Sequence, residues 1–232
     1  NYGYYANTDV AAEITVSDGN TGAGIKSISY YLTDADGTEE KEVTVECRKS
    51  PGEDAVIRIP IQAEFKGYLY LKATDNVGNV SLDYYKSVGI LLERTEAHES
   101  NHNVVMEPEK TDTTDGRGNP LYASDTSVAV SIEDTYAGIR TIEWSVNAPY
   151  DTGNNRNGVI TVDNNGAISD EAWKITAADR NLVTGVSGQI TVFHNSNDIV
   201  VNVKVTDCVG NVSEKAVTVS IDKTAPEISI SY

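Results

Sequence analysis

Apolar and polar residues alternate with a period of two through most of the chain. Ala12, Ile14 and Val16 mark one such run. Leu69, Leu71 and Ala73 alternate with Tyr68, Tyr70 and Lys72, and Val201, Val203 and Val205 alternate with Asn202 and Lys204. That period belongs to strands with one buried and one solvated face. Val43 with Val45, Val56 to Ile59, Val80 to about Leu92, and Val104 to Met106 read as further strands. Residues Asn1 to Asn7 read as turn-forming. No stretch of the first half sustains a 3.6-residue period, so the expected class is all-β, with strand spacing that suits a sandwich. The exception is Ser169-Asp170-Glu171, whose capping character predicts a short helix to about Asp179.

The pattern repeats. Thr74 to Ser81, T-D-N-V-G-N-V-S, returns at Thr206 to Ser213 as T-D-C-V-G-N-V-S. Asn and Gly tolerate positive φ, so each octet reads as a hairpin turn between two strands. Ala23 to Tyr30 likewise matches Ala137 to Trp144, placing the aromatics Tyr30 and Trp144 at one core position in each repeat, where truncation to alanine would cost about 3–5 kcal/mol. Ile28 and Ile142 are offset by 114 positions and Asp75 and Asp207 by 132, so the second repeat carries 18 extra residues. They fall between 147 and 195, a segment that includes a hairpin at Asp163-Asn164-Asn165-Gly166. The expected organisation is a first repeat over 1–92, a linker over 93–103, a second repeat over 104–222, and a linker with a new strand over 223–232. The first repeat lacks an opening strand, and Glu227 to Tyr232 has the pattern to supply one to another copy.

A formal charge of −17, split as −7 through Ala97 and −10 from His98, repels phosphate backbones and anionic lipid. Nucleic acid and membrane insertion are therefore not expected. No run of 18 apolar residues and no basic-then-apolar leader occurs, so the chain reads as a mature or excised fragment. Cys47 and Cys208 fall in different repeats and read as two unpaired thiols.

T-D-x-V-G-N-V-S together with Asp222-Lys223-Thr224-Ala225-Pro226 resembles the bacterial immunoglobulin-like repeats of large surface proteins, especially those of Gram-positive bacteria. The resemblance implies tandem Ig-like sandwiches with Greek-key connections, outside the cell, in stalks, adhesin spacers or modules beside carbohydrate-active enzymes. Adjacent repeats of the same chain would be the partners.

Candidate chemistry is sparse. His98-Glu99-Ser100-Asn101-His102 matches H-E-x-x-H, whose logic is two imidazoles one helical turn apart, but its polar neighbours read as a solvated linker. No serine or cysteine has a base partner evident in sequence, and no enzyme activity or required cofactor is expected. Calcium is the ion that the acidic loops could take, through Asp75, Asp207, Asp34 and Asp36. Tyr31, Tyr68, Tyr70 and Tyr84 share one outward face of the first repeat, a patch that could meet a glycan or a surface protein.

Overall fold

Alternation becomes strands throughout the computed structural model, which describes residues 1–163 and 167–230. The class is all-β, as the period of two predicts. Two units separate, Asn1–Ala97 and His98–Tyr232.

The first unit contains β1 (Tyr2–Ala6), β2 (Val10–Val16), β3 (Ile25–Asp34), β4 (Val43–Glu46), β5 (Ala55–Ile61), β6 (Phe65–Asp75), β7 (Tyr85–Lys86) and β8 (Gly89–Leu92). One sheet runs β1-β8-β6-β3-β4 with β7 on β6, and β2 pairs with β5 in a second. Their inner faces meet in a core of Ile25, Ile28, Ile59, Leu69 and Leu92, against which Ala12, Ile14 and Val16 pack. Ile28, Leu69, Ala12, Ile14 and Val16 are positions on the alternating runs, and Ile25 joins them through a register shift between Ile25 and Ser27.

The second unit holds β9 (His102–Pro108), β10 (Leu121–Tyr122), β11 (Thr126–Asp134), β12 (Ile139–Asn147), β13 (Arg156–Thr161), β14 (Trp173–Asp179), β15 (Leu182–Val192), β16 (Ser196–Asp207) and β17 (Val212–Ile221). Its sheets are β10-β17-β16-β12-β13 and β14-β15-β11-β9. Val128, Val130, Ile142, Val146, Val201 and Val203 are among the buried residues between them. In both units a strand near the start pairs in parallel with the last one: β1 with β8, and β10 with β17.

Several local expectations are corrected. The helix predicted through Asp179 is β14, because Trp173 and Ile175 alternate inward and pair with Gly188 and Val186 of β15. This strand lies within 147–195 and lengthens a sheet that in the first unit has only β2 and β5. The two units divide within 93–103, but that stretch is not solvated throughout: Thr95–Asn101 is a short helix, α1, and His98 is buried. Asn1 to Asn7 is no turn but contains β1, which β8 holds in register. The strand expected from Val80 to Leu92 breaks into a bridge at Val80, β7 and β8, since Ser87 inserts its hydroxyl at the Leu69 N–H. Tyr30 and Trp144 are only half-buried and lie at the margins of their cores. Full burial therefore overstates what each contributes.

The hairpin expected at Asp163 to Gly166 falls partly on 164–166, outside the described residues, as are 231 and 232. Residues 222–230 are exposed and form no strand within the chain. The outer edge of β2 has no strand partner among the described residues, whereas its counterpart β11 is flanked by β9, which also packs on β17.

Candidate functional site

The two octets fold alike. Asp75 Oδ1 accepts from the N–H groups of Val77 (3.0 Å) and Asn79 (2.7 Å), and its Oδ2 accepts from Asn79 Nδ2 (2.7 Å). Asp207 Oδ1 accepts from Val209 (3.0 Å), Gly210 (2.7 Å) and Asn211 (2.8 Å), and its Oδ2 accepts from Asn211 Nδ2 (3.1 Å). Gly78 and Gly210 close the loops at φ 96° and 98°, in the region that side chains resist. Asp115-Gly116-Arg117-Gly118-Asn119 is a third Asp-x-x-Gly-Asn turn, in which Asp115 holds the Arg117 and Asn119 N–H groups. Asp34 does the same for Asp36 and Thr38. The carboxylates expected to bind calcium thus staple hairpins.

Among the described residues, the clusters of three or more metal-ligating side chains include Asp207 but not Asp75, Asp34 or Asp36. Desolvation opposes ionisation of Asp75, yet hydrogen bonds from Asn79, Val77 and Gly78 outweigh it and hold its pKa below the usual carboxylate value. The Thr38 N–H does so for Asp34. A lowered folded pKa gives stability that is complete above the unfolded value, about 4, and lost as the pH falls through the folded one. We expect the urea midpoint to stay level from about pH 7 to 5 and to fall below about pH 4. A midpoint unchanged down to about pH 2 would contradict the stapling role.

Three of the four tyrosines come into ring contact, and Lys86 links Tyr68 to Tyr70. Tyr31 and Tyr70 are cross-strand partners on β3 and β6 and stack at 5.0 Å between ring centroids, and Tyr84 meets Tyr31 edge-on at 4.9 Å. Lys86 Nζ caps the Tyr68 ring at 3.7 Å. Lys72 Nζ lies 2.5 Å from Tyr84 Oη and 3.2 Å from Glu42 Oε2, and Tyr84 also donates to Glu42. The result is a ledge whose rings and charges engage one another, which supports the sheet directly. A double-mutant cycle on Tyr31→Ala and Tyr70→Ala should show about 0.5–1.5 kcal/mol of coupling in urea unfolding. Additive losses would remove the stack from the account.

Beside Tyr84 a cleft of about 690 Å³ opens, lined by Ile14, Val16, Leu71, Lys72 and Asp83 among others. It lies along the open edge of β2.

No protein-family model matches the chain, and no curated protein matches it. Function is therefore argued from these residues.

Sequence reasoning missed one cluster in the second unit. His98 Nδ1 lies 3.2 Å from Asp207 Oδ2, and His98 Nε2 shares a hydrogen bond of 3.1 Å with Ser213 Oγ. A serine does, then, have an imidazole partner, contrary to the expectation from spacing. His102 Nδ1 lies 3.9 Å from Asp134 Oδ2. The i, i+4 spacing of the histidines was the available signal. Their carboxylate partners sit at the ends of β11 and β16 and could not be read from that motif. Cys47 and Cys208 are both free thiols, and burial, reinforced by Asp207 and Asp134, pushes Cys208 up to about 12, away from reactivity.

Proposed function

We propose that the chain is a non-catalytic, load-bearing spacer: two tandem Ig-like sandwich repeats with Greek-key connections, from a bacterial cell-surface or secreted multidomain protein of the adhesin-stalk kind. The observation that carries this reading is the parallel pairing of β1 with β8 and of β10 with β17. Strands near the two ends of a unit, lying parallel and side by side, are pulled in opposite directions when the unit is stretched. Their bridging hydrogen bonds are then loaded together in shear rather than opened one by one. The repeated octets, stapled in the same way, support a tandem array, and the edge of β2 that is unpaired among the described residues offers pairing groups to a strand of a neighbouring repeat. Neighbouring repeats are accordingly the partners proposed, with calcium left to loops outside the stapled turns.

The test is mechanical. Pulled through its ends, the chain should give two separate unfolding events, releasing at most roughly 310 Å (Tyr2–Leu92) and 410 Å (His102–Ile221) at about 3.4 Å per residue. One event, or extension without resistance, would remove the load-bearing role.

A further inference from the structure

The cluster where α1 meets β9 is unusual in a unit whose net charge is −10 from His98 onward. His98 is 1% exposed, Asp134 and Asp207 are 0% exposed, and the His102 side chain is 2% exposed. One ligand atom from each of His98, His102 and Asp134 lies within 4.8 Å of the other two, and the same holds for His98, Asp134 and Asp207. Two buried carboxylates at this separation repel each other strongly unless positive charge lies between them.

Protons on the two imidazoles could supply that charge, but the rings face each other with centroids 4.5 Å apart, so two imidazolium ions would repel in turn. Hydrogen bonding points the same way. Among the described residues, neither ring nitrogen of His102 has a hydrogen-bond partner, and neither does Asp134 Oδ2. Leaving such groups buried and unsatisfied costs about 1–3 kcal/mol each. A single dication neutralises both carboxylates and gives Asp134 Oδ2 and the lone pair of one His102 nitrogen a partner.

The surroundings fix the ligands from outside. Asp134 Oδ1 is held by the Tyr136 and Ala137 N–H groups at 3.0 and 2.9 Å, so Oδ2 is the free atom. The turn holds Asp207 Oδ1 in the same manner. Ser213 engages His98 Nε2, which leaves Nδ1 turned toward Asp207. Their separation of 3.2 Å is close to the edge, about 3.3 Å, of a tetrahedron with bonds of ~2.0 Å. Imidazole nitrogen with carboxylate oxygen suits zinc and neighbouring transition metals better than calcium, which takes six to eight oxygens.

We propose that His98, His102 and Asp134, completed by Asp207, bind one divalent transition-metal ion of the zinc class. The site is structural: the ion ties the end of α1 and the start of β9 to the ends of β11 and β16. Glu99, the carboxylate of the H-E-x-x-H pattern, is exposed and takes no part.

The full chain, stripped with chelator, is equilibrated with zinc, passed through a desalting column and assayed for metal per chain, with and without millimolar calcium. Imidazole nitrogen resonances are recorded alongside. The expected result is one zinc per chain, retained against calcium, with the His98 and His102 signals shifted and that of His194, buried in the same unit, unmoved. His102→Gln should weaken zinc binding at least about 100-fold, as loss of a direct ligand exceeds the 10–100-fold typical of outer-shell changes. Glu99→Gln should leave binding unchanged. If His102→Gln does not fold, the wild-type stoichiometry and resonances decide alone. Zinc at background, zinc displaced by calcium, shifts confined to His194, or loss of binding in Glu99→Gln would each overturn the site.

Discussion

Trp173→Ala is expected to destabilise the unit His98–Tyr232 by about 3–5 kcal/mol while leaving the unit Asn1–Ala97 unchanged. Trp173 is 3% exposed and lies within the core of its unit. Its indole lies over Gly188, its cross-strand partner, where an added Cβ would come within 2.3 Å of the ring. Removing the indole leaves a cavity that the two sheets cannot close without breaking their register, so most of the transfer and cavity cost is retained. Trp144→Ala should cost clearly less, because that indole is only half-buried. Chemical denaturation, followed by a probe in each unit, measures both. Equal losses for the two tryptophans would contradict the assignment of Trp173 as the central one.

The second large effect is expected at the buried turn. Asp207→Ala removes the acceptor for three turn N–H groups and for the Asn211 amide, all at a position with 0% exposure. Buried donors left without partners cost about 1–3 kcal/mol each when water cannot reach them, so a loss of about 3–5 kcal/mol is expected after local relaxation. Asp75→Ala removes a matching staple from a partly exposed turn, where water replaces the lost bonds, and should cost about 1 kcal/mol. Both variants are best compared with chelator present, which separates the turn from any ion at Asp207. If the two substitutions cost the same, burial is not what distinguishes the tips.

Much of this architecture could be read from the sequence, for identifiable reasons. Strands such as β2 and β6 announce themselves because a half-buried sheet enforces alternation residue by residue. The tyrosine ledge followed from the same phase, since Tyr31, Tyr68 and Tyr70 must share one face once Leu69 and Leu71 point inward. Segment 169–179 misled because Ser169-Asp170-Glu171 imitates a helix start, while the inward alternation of Trp173 and Ile175 spans too few residues to outweigh it. Capping is a local signal, and here pairing with β15 overrode it. The histidines failed for a different reason. Their i, i+4 spacing was visible, but burial depends on Asp134 and Asp207, which strand pairing brings from distant parts of the chain. The Asp-x-x-Gly pattern was visible as well, and its recurrence at Asp34 and Asp115 marks a general hairpin device.

The account rests on two cores that fold separately, one around Ile28 and one around Ile142. Differential scanning calorimetry of the full chain carrying Ile28→Ala or Ile142→Ala tests this directly. Each substitution should cost about 2–5 kcal/mol and lower the melting temperature of its own unit only, leaving the other transition in place. If either substitution displaced both transitions together, or if the chain melted as one cooperative body in every variant, the two-unit account would be wrong.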